Sequence, residues 1–125
     1  GWDTDFSRHT VNFADILSGG VGRDDIPPID NPKFETIEEA ESVMNALEPV
    51  VTFKINGEAK AYPLAILTWH EVANDVVGGV PFIVTFCLLC NSALAFERTL
   101  EGRVFDFGVS GNLRNSDLII WDRQT

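Results

Sequence analysis

Two alternating apolar runs on either side of an Asn-Gly dipeptide constrain this chain most. In the stretch 50–55, Val51, Phe53 and Ile55 recur with period two, and after Asn56-Gly57 a return run extends from Glu58 to Tyr62. Asn-Gly is the preferred pair for a two-residue type I′ turn, because both residues accept positive φ and the turn's twist matches that of the flanking strands. The segment is predicted as a β-hairpin, with one face of alternate side chains turned to a core.

The C-terminal half reads in the same style. Val80 to Cys87 is β-branched and aromatic, long enough for a buried strand. ALAFERT at 93–99 alternates, Glu101-Gly102 marks a turn, RVFDFGV at 103–109 alternates again, and LIIWD at 118–122 makes a last strand. SGNLRNSD at 110–117 is predicted as a loop rich in hydrogen-bonding groups.

Two helices interrupt this pattern. Thr36 and Glu39 form a capping box, followed at helical spacing by Ile37, Ala40, Val43, Met44 and Leu47, until Pro49 ends the run. Pro63 suits the first position of a second helix, which LAILTWHEVAND carries on toward a Gly78-Gly79 stop. Its apolar face comprises Ala65, Ile66, Trp69, Val72 and Ala73, with His70 at the edge. Residues 1–35 show no sustained period, and Gly19-Gly20, Pro27-Pro28 and Pro32 break any helix. The expected fold class is α+β. A mostly antiparallel β-sheet carries two short helices, with an irregular N-terminal arm (1–35) wrapped around the domain at 36–125. The chain starts at Gly1 and stops just after a strand-like run, so a longer native polypeptide is expected, truncated here at its C-terminus.

Composition narrows the function classes. A chain of 125 residues fits one domain, and 45% apolar content with 9 Phe and 3 Trp supplies a core. Nineteen acidic against 9 basic residues give a net charge of −10, which repels a phosphate backbone and excludes general nucleic-acid binding. The same field favours cationic partners, metal ions included. The longest nearly apolar stretch, residues 80–90, falls well short of the ~20 residues a spanning helix needs, so no transmembrane segment is expected.

The chemistry concentrates on Cys87 and Cys90, the only cysteines, three apart between two strand-like runs. A thioredoxin-like pair opens a helix whose N-terminus activates the first thiol, whereas here a strand follows. A metal knuckle, in which a turn presents both thiolates to one ion, fits flanking strands better. A local disulfide that staples the turn is the plainest reading. Two thiolates need further ligands, and His9 and His70 are the only histidines. His70 precedes the Cys strand by a short connection, and imidazole with two thiolates suits copper or zinc. His70 could equally serve as a base for one thiol. Glu71 stands beside His70 but on another side of the predicted helix, and no H-E-x-x-H zinc motif is present.

These residues also resemble a known pattern. His70-Glu71 with Asn74-Asp75, Gly79, Thr85-Phe86-Cys87 through Cys90, Ser92, Gly108 to Gly111, and Asn115-Ser116-Asp117 occur in the order found in the bacterial and archaeal family catalogued as domain of unknown function 3179. The resemblance runs from about Ile29 to Thr125 and is close from Ala61 on. It implies an exported or membrane-associated protein with a longer C-terminal portion, hence an extracytoplasmic location where a Cys pair is oxidised. The family usually has Pro between the cysteines, where this chain has Leu88. Cys87, Cys90 and His70 are the expected metal ligands. Glu71, Asn74, Ser92, Asn115, Ser116 and Asp117 are expected around the site or against a substrate. Three functions follow: a copper- or zinc-binding domain, a dithiol oxidoreductase, or a binding module with a stapled turn and a protein partner.

Overall fold

The computed structural model describes residues 2–125. After a 3-10 turn at Phe13–Asp15, the elements are β1 (Ile16–Ser18), β2 (Ile29–Asp30), α1 (Ile37–Glu41), β3 (Val50–Ile55), β4 (Glu58–Pro63) and α2 (Leu64–His70). They continue with β5 (Val72–Val77), β6 (Val80–Cys87), β7 (Ser92–Glu97), β8 (Thr99–Leu100), β9 (Arg103–Val104), β10 (Phe107–Arg114) and β11 (Asp117–Asp122). Every strand pairing is antiparallel except the short parallel one between β2 and β5. The mostly antiparallel, helix-poor character therefore holds. The expected single sheet does not: the strands form β2-β5-β6-β7, β1-β10-β11, the hairpin β3-β4 and the small pair β8-β9.

Layering follows from what the four-stranded sheet buries. Ala73, Val84 and Phe86 pack with Tyr62 of β4 and Leu67 of α2. Their neighbours Val72 and Ile83 point the opposite way, against Val109, Leu118 and Ile120. Period-two alternation thus feeds two cores from β5 and β6, and each fully buried aliphatic side chain contributes about 1.5–3 kcal/mol. The central sheet lies between the β3-β4 hairpin with α2 on one face and the β1-β10-β11 sheet on the other.

The hairpin predicted at Asn56-Gly57 is present, with Ile55 opposite Glu58 and both turn residues at positive φ. The same solution recurs at Gly78-Gly79, Glu101-Gly102 and Asn115-Ser116. Two of these correct the sequence reading. Helix α2 stops at His70, and the segment expected to continue it is strand β5, which ends in the Gly78-Gly79 hairpin turn. Val72, Val76 and Val77 favour a pleated backbone, and a strand between two cores can bury consecutive residues, which an amphipathic helix cannot. Likewise the run 110–117 is no loop: Ser110 to Arg114 belong to β10, bent by a bulge, and Asp117 opens β11.

The first helix is shorter and less buried than expected. The capping box is present, with the Glu39 N–H donating to Thr36 Oγ1 and the Thr36 N–H to Glu39 Oε2. The helix ends at Glu41, because the Ser42 hydroxyl donates to the Glu39 carbonyl and Asn45 organises a turn of its own. Ile37 and Leu47 are 76% and 91% exposed, so α1 does not pack on the sheet. The arm is not irregular throughout either: β1 pairs with β10 and β2 with β5. It docks where Gly111 sits at φ +77 in the bulge, accepting from the Gly19 N–H at 2.8 Å; a Cβ there would strike the Val21 carbonyl.

A charged network crosses the central sheet. Buried Asp75 accepts from the Tyr62 hydroxyl at 2.7 Å and from Lys60 Nζ at 3.0 and 3.1 Å. Burial and this carboxylate hold the Tyr62 phenol far above its ordinary range, so it stays a donor. Arg98, only 7% exposed, spreads its guanidinium over the carbonyls of Asp75, Phe82 and Phe105 and the Asp106 carboxylate.

Candidate functional site

Cys87 closes β6 and Ser92, its partner in register, opens β7; Leu88 to Asn91 form the connecting turn. Asn91 takes positive φ, which asparagine tolerates. The two Cα atoms are 5.5 Å apart, an ordinary separation for a disulfide, and the cysteines are paired. Their surroundings differ: Cys87 is 3% exposed at the end of a central strand, whereas Cys90 lies exposed in the turn.

The β10–β11 turn completes the site. Both Asn115 and Ser116 hold positive φ, and this tight reversal directs the Ser116 carbonyl and the Asp117 side chain at the sulfurs. Cys87 Sγ lies 3.5 Å from the Ser116 carbonyl oxygen, and Cys90 Sγ lies 3.4 Å from Asp117 Oδ1 and 3.6 Å from Ser92 Oγ. Asp117 is itself held by the Leu118 N–H at 2.8 Å. Among the described residues, the two sulfurs and this carboxylate form a group of three donor atoms within 4.8 Å of one another.

His70 is not in that group. Its Nδ1 lies 2.7 Å from the Pro27 carbonyl oxygen, an acceptor that makes Nδ1 the protonated nitrogen and ties α2 to the arm. Asn74 is equally remote in role. It is fully buried, donates to Asp30 Oδ1 and the Phe107 carbonyl, and accepts from the Phe107 N–H, so it joins β2, β5 and β10. Asn115 forms the turn without reaching the sulfurs by any hydrogen bond. Ser92, Ser116 and Asp117 are the expected neighbours that do meet Cys87 and Cys90.

Glu71 ends α2 at φ +59, its carbonyl accepting from the Phe86 N–H at 2.8 Å. Burial raises its carboxyl above the usual carboxylate range. The fold thus accommodates the protonated form. This contribution is complete below the unfolded value of ~4.3 and is lost as pH rises through the higher folded value. Glu71→Gln is therefore expected to exceed the wild type in stability at neutral pH, the gap closing toward about pH 4 in urea titrations at several pH values. A gap that does not vary with pH would contradict this.

Beside the sulfurs, β7 and β11 enclose a cleft of about 210 Å³. Its wall is Ser92, Leu94 and Phe96 from one face of β7, Thr85 beneath them, and Asp117, Leu118 and Ile120 from β11. The sequence signal for it was the i, i+2, i+4 alternation of β7; that β11 would face it was not legible, because the two strands are distant in sequence. A larger apolar hollow, about 500 Å³, lies under the arm between Trp2, Phe6, Phe13 and the outer face of β11, apart from the thiols.

The family model described as protein of unknown function DUF3179 matches residues 23–125. The chain belongs to the DUF3179 family. No curated protein and no solved structure matches it. In this DUF3179 domain the resemblance residues divide into two sets. Cys87, Cys90, Ser92 and Ser116-Asp117 converge on one site, while Asn74-Asp75, Gly79 and Gly108 to Gly111 shape the sheets that carry it. Among the described residues of the DUF3179 domain, no helix is long and apolar enough to cross a membrane.

Proposed function

We propose that this domain is a thiol–disulfide exchange module, with Cys90 as the sulfur open to attack and Cys87 as its buried partner. The observation that carries the reading is the placement of acceptors. A disulfide sulfur has no hydrogen to donate, whereas a thiol at either position finds an acceptor in place: the Ser116 carbonyl for Cys87 and the Asp117 carboxylate for Cys90. The site thus suits the dithiol as well as the disulfide, as a cycling pair requires and a permanent staple does not. An incoming thiolate attacks Cys90, the Cys87–Cys90 bond breaks, and Cys87 leaves as a thiolate that takes a proton from solvent and donates to Ser116. The part of Asp117 is to receive the S–H of reduced Cys90. An oxidising, extracytoplasmic compartment is the setting this chemistry fits.

Glutathione buffers of graded ratio, followed by thiol alkylation and mass measurement, test the reading. The pair is expected to titrate as one two-electron couple, abolished in Cys90→Ser. Asp117→Ala removes the acceptor of the reduced form and is expected to shift the equilibrium toward the disulfide by roughly threefold to tenfold. A pair that stays oxidised at every ratio would leave only a stapled turn.

A second reading rests on the same three donors. In the reduced state two thiolates and the Asp117 carboxylate offer three protein ligands and an open position, a set that suits zinc better than copper(I), since carboxylate is a hard ligand. One zinc per reduced chain, lost in Cys87→Ser and retained in His70→Ala, would support it.

A further inference from the structure

The thiol site sits at the end of an unpaired sheet edge. Among the described residues β7 is the outermost strand of its sheet, and β11 that of the other. The Phe86 N–H points to Glu71 on the β5 side, so Phe86 and its partner Ala93 form a non-hydrogen-bonded pair. By alternation the backbone N–H and C=O groups of Ala93, Ala95 and Glu97 face outward, free for another strand. The side chains between them, Ser92, Leu94 and Phe96, face the cleft, and Leu94 and Phe96 are half exposed. Leu88 and Leu89 extend this apolar surface over the cysteine turn. Asp117 at the sulfur end is the one charge in the lining, and Glu97 stands at the other end of β7.

Resting on the thiol-exchange reading, we infer that its substrate is an extended polypeptide segment that adds as a strand to the β7 edge and presents a cysteine to Cys90. Main-chain hydrogen bonds to Ala93, Ala95 and Glu97 give affinity, and alternate apolar side chains enter the cleft beside Leu94 and Phe96. A net charge of −10, with acidic groups at both ends of the strand, selects a segment flanked by lysine or arginine. The substrate thiolate attacks Cys90 Sγ, the Cys87–Cys90 bond breaks, and Cys87 leaves with the electron pair and is protonated. A second substrate thiolate then attacks the mixed disulfide at the substrate sulfur, releasing Cys90 as a thiolate that is protonated in turn. Two electrons and two protons pass from the substrate dithiol to the pair, and the reverse exchange reduces a substrate disulfide.

Peptides activated as mixed disulfides with thionitrobenzoate test this on the reduced wild-type protein, the released thionitrobenzoate reporting attack by Cys90. A lysine-flanked peptide of alternating valine and phenylalanine around one cysteine is expected to react about tenfold faster than a lysine-flanked glycine–serine peptide of equal length. N-methylation of its alternate amides, which removes donors without touching the protein, is expected to erase that advantage, and glutamate flanks to reduce it at low salt. Ala95→Pro should lower the ratio of the two rates toward one, with circular dichroism showing that the fold persists. Equal rates for the alternating, glycine–serine and N-methylated peptides would overturn the inference while leaving exchange with glutathione, and so the underlying reading, intact. Edge-to-edge dimers that the peptide cannot disrupt would overturn it in favour of a second copy. No exchange with any thiol would end both.

Discussion

Arg98→Ala is expected to cost about 3–5 kcal/mol, a large share of the 5–15 kcal/mol that stabilises an ordinary domain. The guanidinium is nearly sealed from water and makes several well-placed bonds at once: Nε to the carbonyls of Asp75 and Phe82, Nη2 to Asp75, and Nη1 to the Phe105 carbonyl and the Asp106 carboxylate at 2.6 Å. Truncation leaves those carbonyls facing a void, and the backbone bond between the Phe105 N–H and the Arg98 carbonyl loses its cross-brace. The ion pair itself is the smaller part, because the Asp106 side chain is well exposed. Asp106→Ala keeps the carbonyl acceptors but leaves the buried guanidinium without its carboxylate, and should cost less than Arg98→Ala, about 1–2 kcal/mol, whereas Arg98→Lys should recover little, since one ammonium cannot span the fork. Urea unfolding of the three variants checks this. An Arg98→Ala loss below about 1 kcal/mol would mean the network is not a stabilising element.

Asn74→Ala comes next, with an expected loss of about 3 kcal/mol. Its amide satisfies both backbone groups of Phe107 and one oxygen of Asp30, the bonds running from 2.8 to 2.9 Å. Phe107 begins β10, so these bonds seat the outer sheet on the central one. Without them a buried N–H and C=O are each left unpaired, at roughly 1–3 kcal/mol apiece. Asn74→Asp separates shape from bonding. It keeps an acceptor for the Phe107 N–H but sets a carboxylate against Asp30 and a carbonyl, so it should be nearly as damaging at neutral pH and partly relieved in acid. Stability is the readout for the scaffold role, and thiol exchange at Cys90 in the folded fraction is the second one. Exchange kinetics that change while stability does not would return Asn74 to the site.

The local decisions in this chain are made by neighbouring residues. Asn56-Gly57 specifies its hairpin because few dipeptides accept two positive φ angles, Thr36 and Glu39 cap each other within one turn, and the β-branched and aromatic run from Val80 to Cys87 favours a strand. The cysteines could be placed between strands for the same reason. The remaining choices depend on long-range packing. The segment 72–77 has a helical apolar face on paper, and became a strand because both of its sides are covered, by Tyr62 and Leu67 of the preceding elements on one and by Val109, distant in sequence, on the other. Whether His70 or Asp117 would stand beside the thiols was undetermined for a similar reason. His70 was the nearer in sequence, but its ring is committed to Pro27, while the Asn115-Ser116 turn brings Asp117 to Cys90 across 27 residues. Turn chemistry is carried by adjacent residues and can be read from them; which sheet faces which depends on the packing of the whole chain.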